Sequence, residues 1–178
     1  MNPSPLFAAA MGALEELRQD TFPDRVTKDE DGVLVAMSVA LRADCTRRRV
    51  GAVIVDVHGR IVGTGRNGAP AGRPGCLTAG ACPRGTRTYT EVAPGSSYTG
   101  GAGACIALHA ELNALLYTDP MARRGGVLYV TDAPCDSCSL HLAGSGLARV
   151  VWPVQVDGSW SLQDRLLGPE HPIGGHYS

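Results

Sequence analysis

The chain is poor in several things at once. Aromatic residues make up 5% of its 178 positions, and 16 Lys and Arg face 17 Asp and Glu for a formal net charge of -1. A polynucleotide binder needs an extended basic or aromatic surface, and none is visible. Near-neutrality still leaves room for a local basic pocket. No apolar run approaches the ~20 residues of a membrane-spanning helix. The N-terminal run LFAAAMGAL has no Lys or Arg before it and Glu15 and Glu16 after it, the pattern of an amphipathic helix and not of a signal peptide. Internal repeats and low-complexity segments are also lacking. A reducing, cytoplasmic setting is therefore expected, and there the six cysteines point to metal or chemistry before disulfides.

The length suits one domain with a sizeable core. Residues 1–31 read as a helical lead-in (LFAAAMGALEELRQD) and a polar linker, 32–153 as the main domain, and 154–178 as a short tail. GVLVAMSVALRAD reads as a helix with Leu34, Met37, Ala40 and Leu41 on one face. VGAVIVD and RIVGTGR are β-rich runs joined by a Gly-containing turn, which predicts a hairpin. Residues 67–104 hold nine glycines and four prolines with no sustained period. A loop of that length in a compact domain is functional, disordered or tied down.

Regular pattern resumes with ACIALHAELNALLYT, a helix with Ile106, Leu112, Leu115 and Leu116 as apolar positions. The strand GVLYVT, a short helix from Cys135 to about Gly144 and the strand ARVVWP follow. WSLQDRLL offers a helical turn or two in the tail. Strands alternating with helices after a hairpin predict a three-layer α/β/α domain with helices on both faces of the sheet. Two helix N-termini then fall at one sheet edge.

Cys135 and Cys138, in DAPCDSC, are three apart at the start of a helix. Alone, such a pair fits structural zinc, a redox site or chance. His109 and Glu111, in LHAELN, open the preceding helix. One imidazole and two thiolates are three zinc ligands of suitable softness. A helix N-terminus stabilises thiolates. Two thiolates and a neutral His cancel the charge of Zn²⁺ and leave a fourth position for water, the ligand count of a catalytic site. Glu111 lies two residues from His109, close enough to exchange protons with that water without being a ligand. A closed zinc staple, or a buried Cys pair beside an unrelated His, is the bland alternative.

H-x-E followed by P-C-x-x-C is the signature of zinc deaminases, in which the Glu is the general acid and base. Here it stands as HAE at 109–111 and PCDSC at 134–138. CTRRRVGAVIVDVHGRIVGTGRNGAPAG and GVLYVTDAPCDSCSLHLAGSGLARVVW resemble the two halves of the cytidine and deoxycytidylate (dCMP) deaminase family, over about residues 33–152. The resemblance implies a cytidine-deaminase-like fold with a mixed sheet of about five strands, a catalytic zinc and a homo-oligomer. It implies hydrolytic deamination of a small pyrimidine nucleotide, dCMP giving dUMP and ammonia, with Glu111 moving the protons. Substrate contacts are implied at Asn67, Ala110 and Pro134. Some members carry a second, structural zinc, for which Cys45, Cys76, Cys82 and Cys105 are the thiols left over. The family commonly has His where this chain has Gly75 and Ala104.

Three further features bear on substrate. Arg47, Arg48 and Arg49 precede the first strand, and guanidinium groups suit a nucleotide phosphate. A solvated charge run is the plain alternative. Tyr98 either walls the pocket or pins its own loop. His58, His141, His171 and His176 have no matching partners in the sequence and read as ordinary histidines. A free nucleoside, a modified base or a nucleoside antibiotic is an alternative substrate. A polynucleotide deaminase lacks its surface, and a non-catalytic zinc protein is at odds with an intact Glu111.

Overall fold

Strand β1 (Gly51–Val55) is apolar from end to end, as a strand covered on both faces must be, and Ala52, Val53 and Ile54 are fully buried. The computed structural model describes residues 4–19, 25–88, 90–93, 98, 100–101 and 103–167. β1 turns back antiparallel into β2 (Ile61–Arg66) and pairs antiparallel on its other edge with β3 (Val127–Val130). β3 runs parallel to β4 (Arg149–Val156), and β4 antiparallel to β5 (Ser159–Leu166). The result is a mixed five-stranded sheet in the order β2-β1-β3-β4-β5.

Helix α1 (Pro5–Gln19) precedes helix α2 (Lys28–Ala40), which packs on one face of the sheet against Val53, Tyr129 and Val151. Helices α3 (Ala110–Leu116) and α4 (Asp136–Ala143) lie on the other face, over Ala52, Ile54, Leu128, Val130 and Val150. These are the three layers and the fold expected. Among the described residues, no helix is long and apolar enough to cross a membrane.

The elements differ from the sequence reading in phase and extent. α2 begins at Lys28, inside the stretch read as linker, because Thr27 and Glu30 form a capping box. Its buried face is Gly32, Val33, Ala36 and Ala40, while Leu34, Met37 and Leu41 are exposed. The cause is close approach: a Cβ on Gly51 would overlap the backbone of Ala36 and Ala40. Only small side chains fit between helix and strand, so the large ones point outward.

α3 is shorter than read. Leu108 pairs antiparallel with Gly68, so the chain ahead of Ala110 is extended, and Ile106 and Leu116 are exposed. The tail is also corrected. All but the last residue of WSLQDRLL belongs to β5, which pairs along its whole length with β4, and β4 itself continues past residue 153. Asp157 and Gly158, at φ 49 and 80, make the tight turn between them. Pro153 is tolerated because β4 pairs with β3 only as far as Val151. Residues 168–178, including His171 and His176, lie outside the described residues.

Candidate active site

His109 and Cys135 occupy the N-cap positions of α3 and α4, with extended backbones and no capping hydrogen bond from either side chain. A cap residue released from its own helix can turn elsewhere, and these two turn to each other. His109 Nδ1 lies 3.5 Å from Cys135 Sγ and 3.3 Å from Cys138 Sγ. Tetrahedral zinc, with bonds of about 2.3 Å to sulfur and about 2.0–2.1 Å to imidazole, requires an N···S separation of roughly 3.6 Å. The donors already stand near that spacing, and all three fall within 4.8 Å of one another.

Charge makes the same case. Cys138 is buried, and its thiol is held far above its ordinary range by burial and by the neighbouring Glu111 and Cys135. Glu111 is 4% exposed, and burial raises its carboxyl pKa against the opposing pull of its own backbone N–H and His109. Two thiols, one of them buried, and a buried carboxylate gathered at one point favour a cation as their partner. The donor set fits zinc.

Sequence-distant elements hold this cluster in place. Leu108 and Gly68 exchange backbone hydrogen bonds of 2.8 and 3.2 Å, which ties the entry of α3 to the Asn-Gly loop. Asn113 Nδ2 donates to the Arg66 carbonyl at 2.7 Å, fastening α3 to the end of β2. Asn67 works as a clasp. Its Oδ1 accepts from the Val50 N–H at 2.8 Å and its Nδ2 donates to the Arg48 carbonyl at 2.8 Å, leaving one amide hydrogen over.

A cavity of about 310 Å³ opens on His109, Glu111 and Cys135, and Arg47, Arg48, Asn67, Tyr98 and Ala110 line it. Pro134 is buried between the lining residues Ala133 and Cys135 and does not itself reach the wall. Cys45, Cys76, Cys82 and Cys105 line the same cavity, and all are free thiols.

Two charged lining residues, Arg84 and Asp132, were not singled out from sequence. Arg84 is buried, donates to the Gly103 carbonyl at 2.9 Å, and lays its guanidinium 4.1 Å from the centre of the Tyr98 ring. Asp132 accepts a hydrogen bond from Arg48 Nη2. Burial pushes its carboxyl pKa up while Arg48 opposes the shift. A signal for Asp132 existed: an acidic residue just past a strand end, three positions before Cys135. Arg84 sits in an aperiodic loop and gave none.

The model of the cytidine and deoxycytidylate deaminase zinc-binding region matches residues 26–154. The deoxycytidylate deaminase of Mycobacterium phage D29 is 49% identical over 126 residues, covering 70% of this chain and 93% of the relative. That of Schizosaccharomyces pombe is 34% identical over 133 residues, covering 73% of this chain but 38% of the yeast protein. Among solved structures, the apo dCMP deaminase of cyanophage S-TIM5 superposes with a TM-score of 0.50 at 27% identity, over 73% of this chain and 85% of that one. The matched stretch takes in both helix starts that bring His109, Cys135 and Cys138 to zinc spacing. With its fold, its donor set and its relatives in agreement, the chain belongs to the cytidine and deoxycytidylate deaminase family of zinc-dependent hydrolases.

Proposed function

We propose that the protein hydrolyses the amino group of a cytosine nucleotide, converting dCMP and water to dUMP and ammonia. The observation that carries this reading is the presence of Arg47 and Arg48 on the wall of the cavity that also holds His109, Glu111 and Cys135. Guanidinium groups there suit a phosphate at one end of a ligand whose base meets the cluster at the other. The name of the phage D29 relative, deoxycytidylate deaminase, supports the same substrate.

His109, Cys135 and Cys138 would hold the zinc, which when bound supplies Lewis acidity that brings the pKa of water toward ~7. Glu111 takes a proton from the attacking water and passes it to ring N3, which makes C4 electrophilic. As the C4–O bond forms, Glu111 carries the second proton to the exocyclic nitrogen, the C4–N bond breaks and ammonia departs. Burial of Glu111 raises its carboxyl pKa, the direction that suits a group which must release as well as accept a proton. Pro134 shapes the turn ahead of Cys135, Ala110 backs the base, Tyr98 walls the pocket, and the remaining Asn67 amide hydrogen is available to the substrate.

A nucleoside substrate is the second reading. It draws on Arg48, whose guanidinium is already engaged by Asp132. Ammonia release measured on dCMP, deoxycytidine and cytosine tests both. Activity confined to dCMP is expected, and equal activity on deoxycytidine removes the nucleotide assignment.

The second cluster supports a second zinc. The Cys76 thiol is hydrogen-bonded to Cys82, and its pKa is pushed up to about 11 by burial and by the neighbouring Cys82, Cys45 and Cys105. Among the described residues, these thiols are not drawn as close as the His109 trio, so they would tighten around a shared ion. A metal there would order the loop of residues 67–104. Fully reduced protein should then carry two zinc ions per chain by elemental analysis, and one per chain removes the second site. The six free thiols support a reducing, cytoplasmic setting. An apolar stretch formed by Leu34, Met37, Trp160 and Leu162 supports a homo-oligomer.

A further inference from the structure

We infer that Asp132 determines specificity for the sugar, its carboxylate accepting a hydrogen bond from the 3′-hydroxyl while it holds Arg48 toward the phosphate. The inference rests on the nucleotide reading above, which fixes the two ends of the ligand. The amino-bearing carbon of the base must meet Glu111 and the His109 trio. The phosphate belongs with Arg47 and Arg48. What lies between them in a nucleotide is the sugar, and Asp132 lines the same cavity, bonded to Arg48 and three positions ahead of Cys135.

The carboxylate is half spoken for. Oδ1 accepts from Arg48 Nη2, and among the described residues no hydrogen bond is made to Oδ2. The Asp132 side chain is 25% exposed against 74% for Arg48, so the acid is the inward partner of the pair and the guanidinium the outward one. Stability does not account for this arrangement. An ion pair with one partner so exposed contributes little, while a partly buried carboxylate is disfavoured by lost hydration. A half-buried acceptor facing a cavity calls for a donor from the ligand. A deoxyribose in nucleotide linkage has one hydrogen-bond donor, the 3′-hydroxyl.

Arg48 makes the acid tolerable. A bare carboxylate on the route of a phosphate would repel it, and the guanidinium neutralises Asp132 while keeping further N–H groups for the phosphate oxygens. Asn67 completes the arrangement from behind by binding the Arg48 carbonyl and the Val50 N–H.

The test compares kcat/KM for dCMP, 2′,3′-dideoxy-CMP and deoxycytidine in the parent protein and in Asp132→Ala, with zinc content measured in both. The parent should prefer dCMP to the dideoxy compound about ten- to a hundredfold, the value of one charge-assisted hydrogen bond. Asp132→Ala should bring that ratio close to one. Asp132→Asn, of the same shape but neutral, should shrink the preference without abolishing it. A parent indifferent to the 3′-hydroxyl overturns the inference. So does an Asp132→Ala protein that loses equally on both nucleotides, because Asp132 would then act only through Arg48. Failure of the nucleotide reading shows in a separate ratio, dCMP to deoxycytidine, and the 3′-hydroxyl comparison can then be made with deoxycytidine and dideoxycytidine.

Discussion

Glu111 is the second residue of α3, and its carboxyl is buried beside His109 and Cys138 without forming part of the donor trio. Glu111→Gln keeps the shape and the zinc ligands and removes only the proton carrier. Deamination should fall by about 10²–10⁴-fold, the usual contribution of a positioned acid–base group, while elemental analysis shows zinc retained. Near-normal turnover with zinc in place contradicts the assigned role. These residues were legible because their meaning is local: HAE and PCDSC carry ligand type and spacing in a few positions each. Asp132 had only its place three positions before Cys135 to mark it, because its partner Arg48 stands 84 positions away and only the folded sheet brings them together. Arg84 likewise acquires its role from Tyr98 and Gly103, across a loop that no periodicity describes.

The cluster depends on how closely helix α3 lies on strand β2. A Cβ on Gly65 would overlap the Ala110 carbonyl and crowd Ala114, both on the helix that starts at His109. Gly65→Ala must therefore push α3 away, and overpacking of this kind costs about 1–3 kcal/mol. The expected outcome is a lower melting temperature together with weaker zinc retention on dialysis against a chelator. A variant with parental zinc affinity would show that α3 is not held by this contact. Element types were largely readable, because β-rich runs, a hairpin turn and helix starts are written in short windows. The phase of α2 was not: periodicity marks an apolar stripe at Leu34, Met37 and Leu41, but the close approach of Gly51 decides which side meets the sheet. β5 was missed although Asp157-Gly158 is a local hairpin signal, because the flanking runs look weakly apolar until their pairing is seen.

The whole molecule leaves apolar surface uncovered on the α2 side, where Met37 is 51% and Trp160 70% exposed. The homo-oligomer proposed above would meet through this surface, so Met37→Asp combined with Trp160→Asp should shift it toward monomer in sedimentation, and an unchanged sedimentation coefficient would remove this contact. Neither residue lines the cavity described above. Composition limited the function classes, and the two short motifs supplied the chemistry. Arg47 and Arg48, offered by the sequence as phosphate ligands, stand on the wall of the cavity that holds Glu111, a placement that the fold and not the spacing decides. The nucleotide assignment stands or falls on kcat/KM for dCMP against deoxycytidine in the parent, Arg47→Ala and Arg48→Ala. The parent should strongly prefer dCMP, and at least one substitution should shrink that preference about ten- to a hundredfold. A parent that works equally well or better on deoxycytidine would rule out a nucleotide as the preferred substrate.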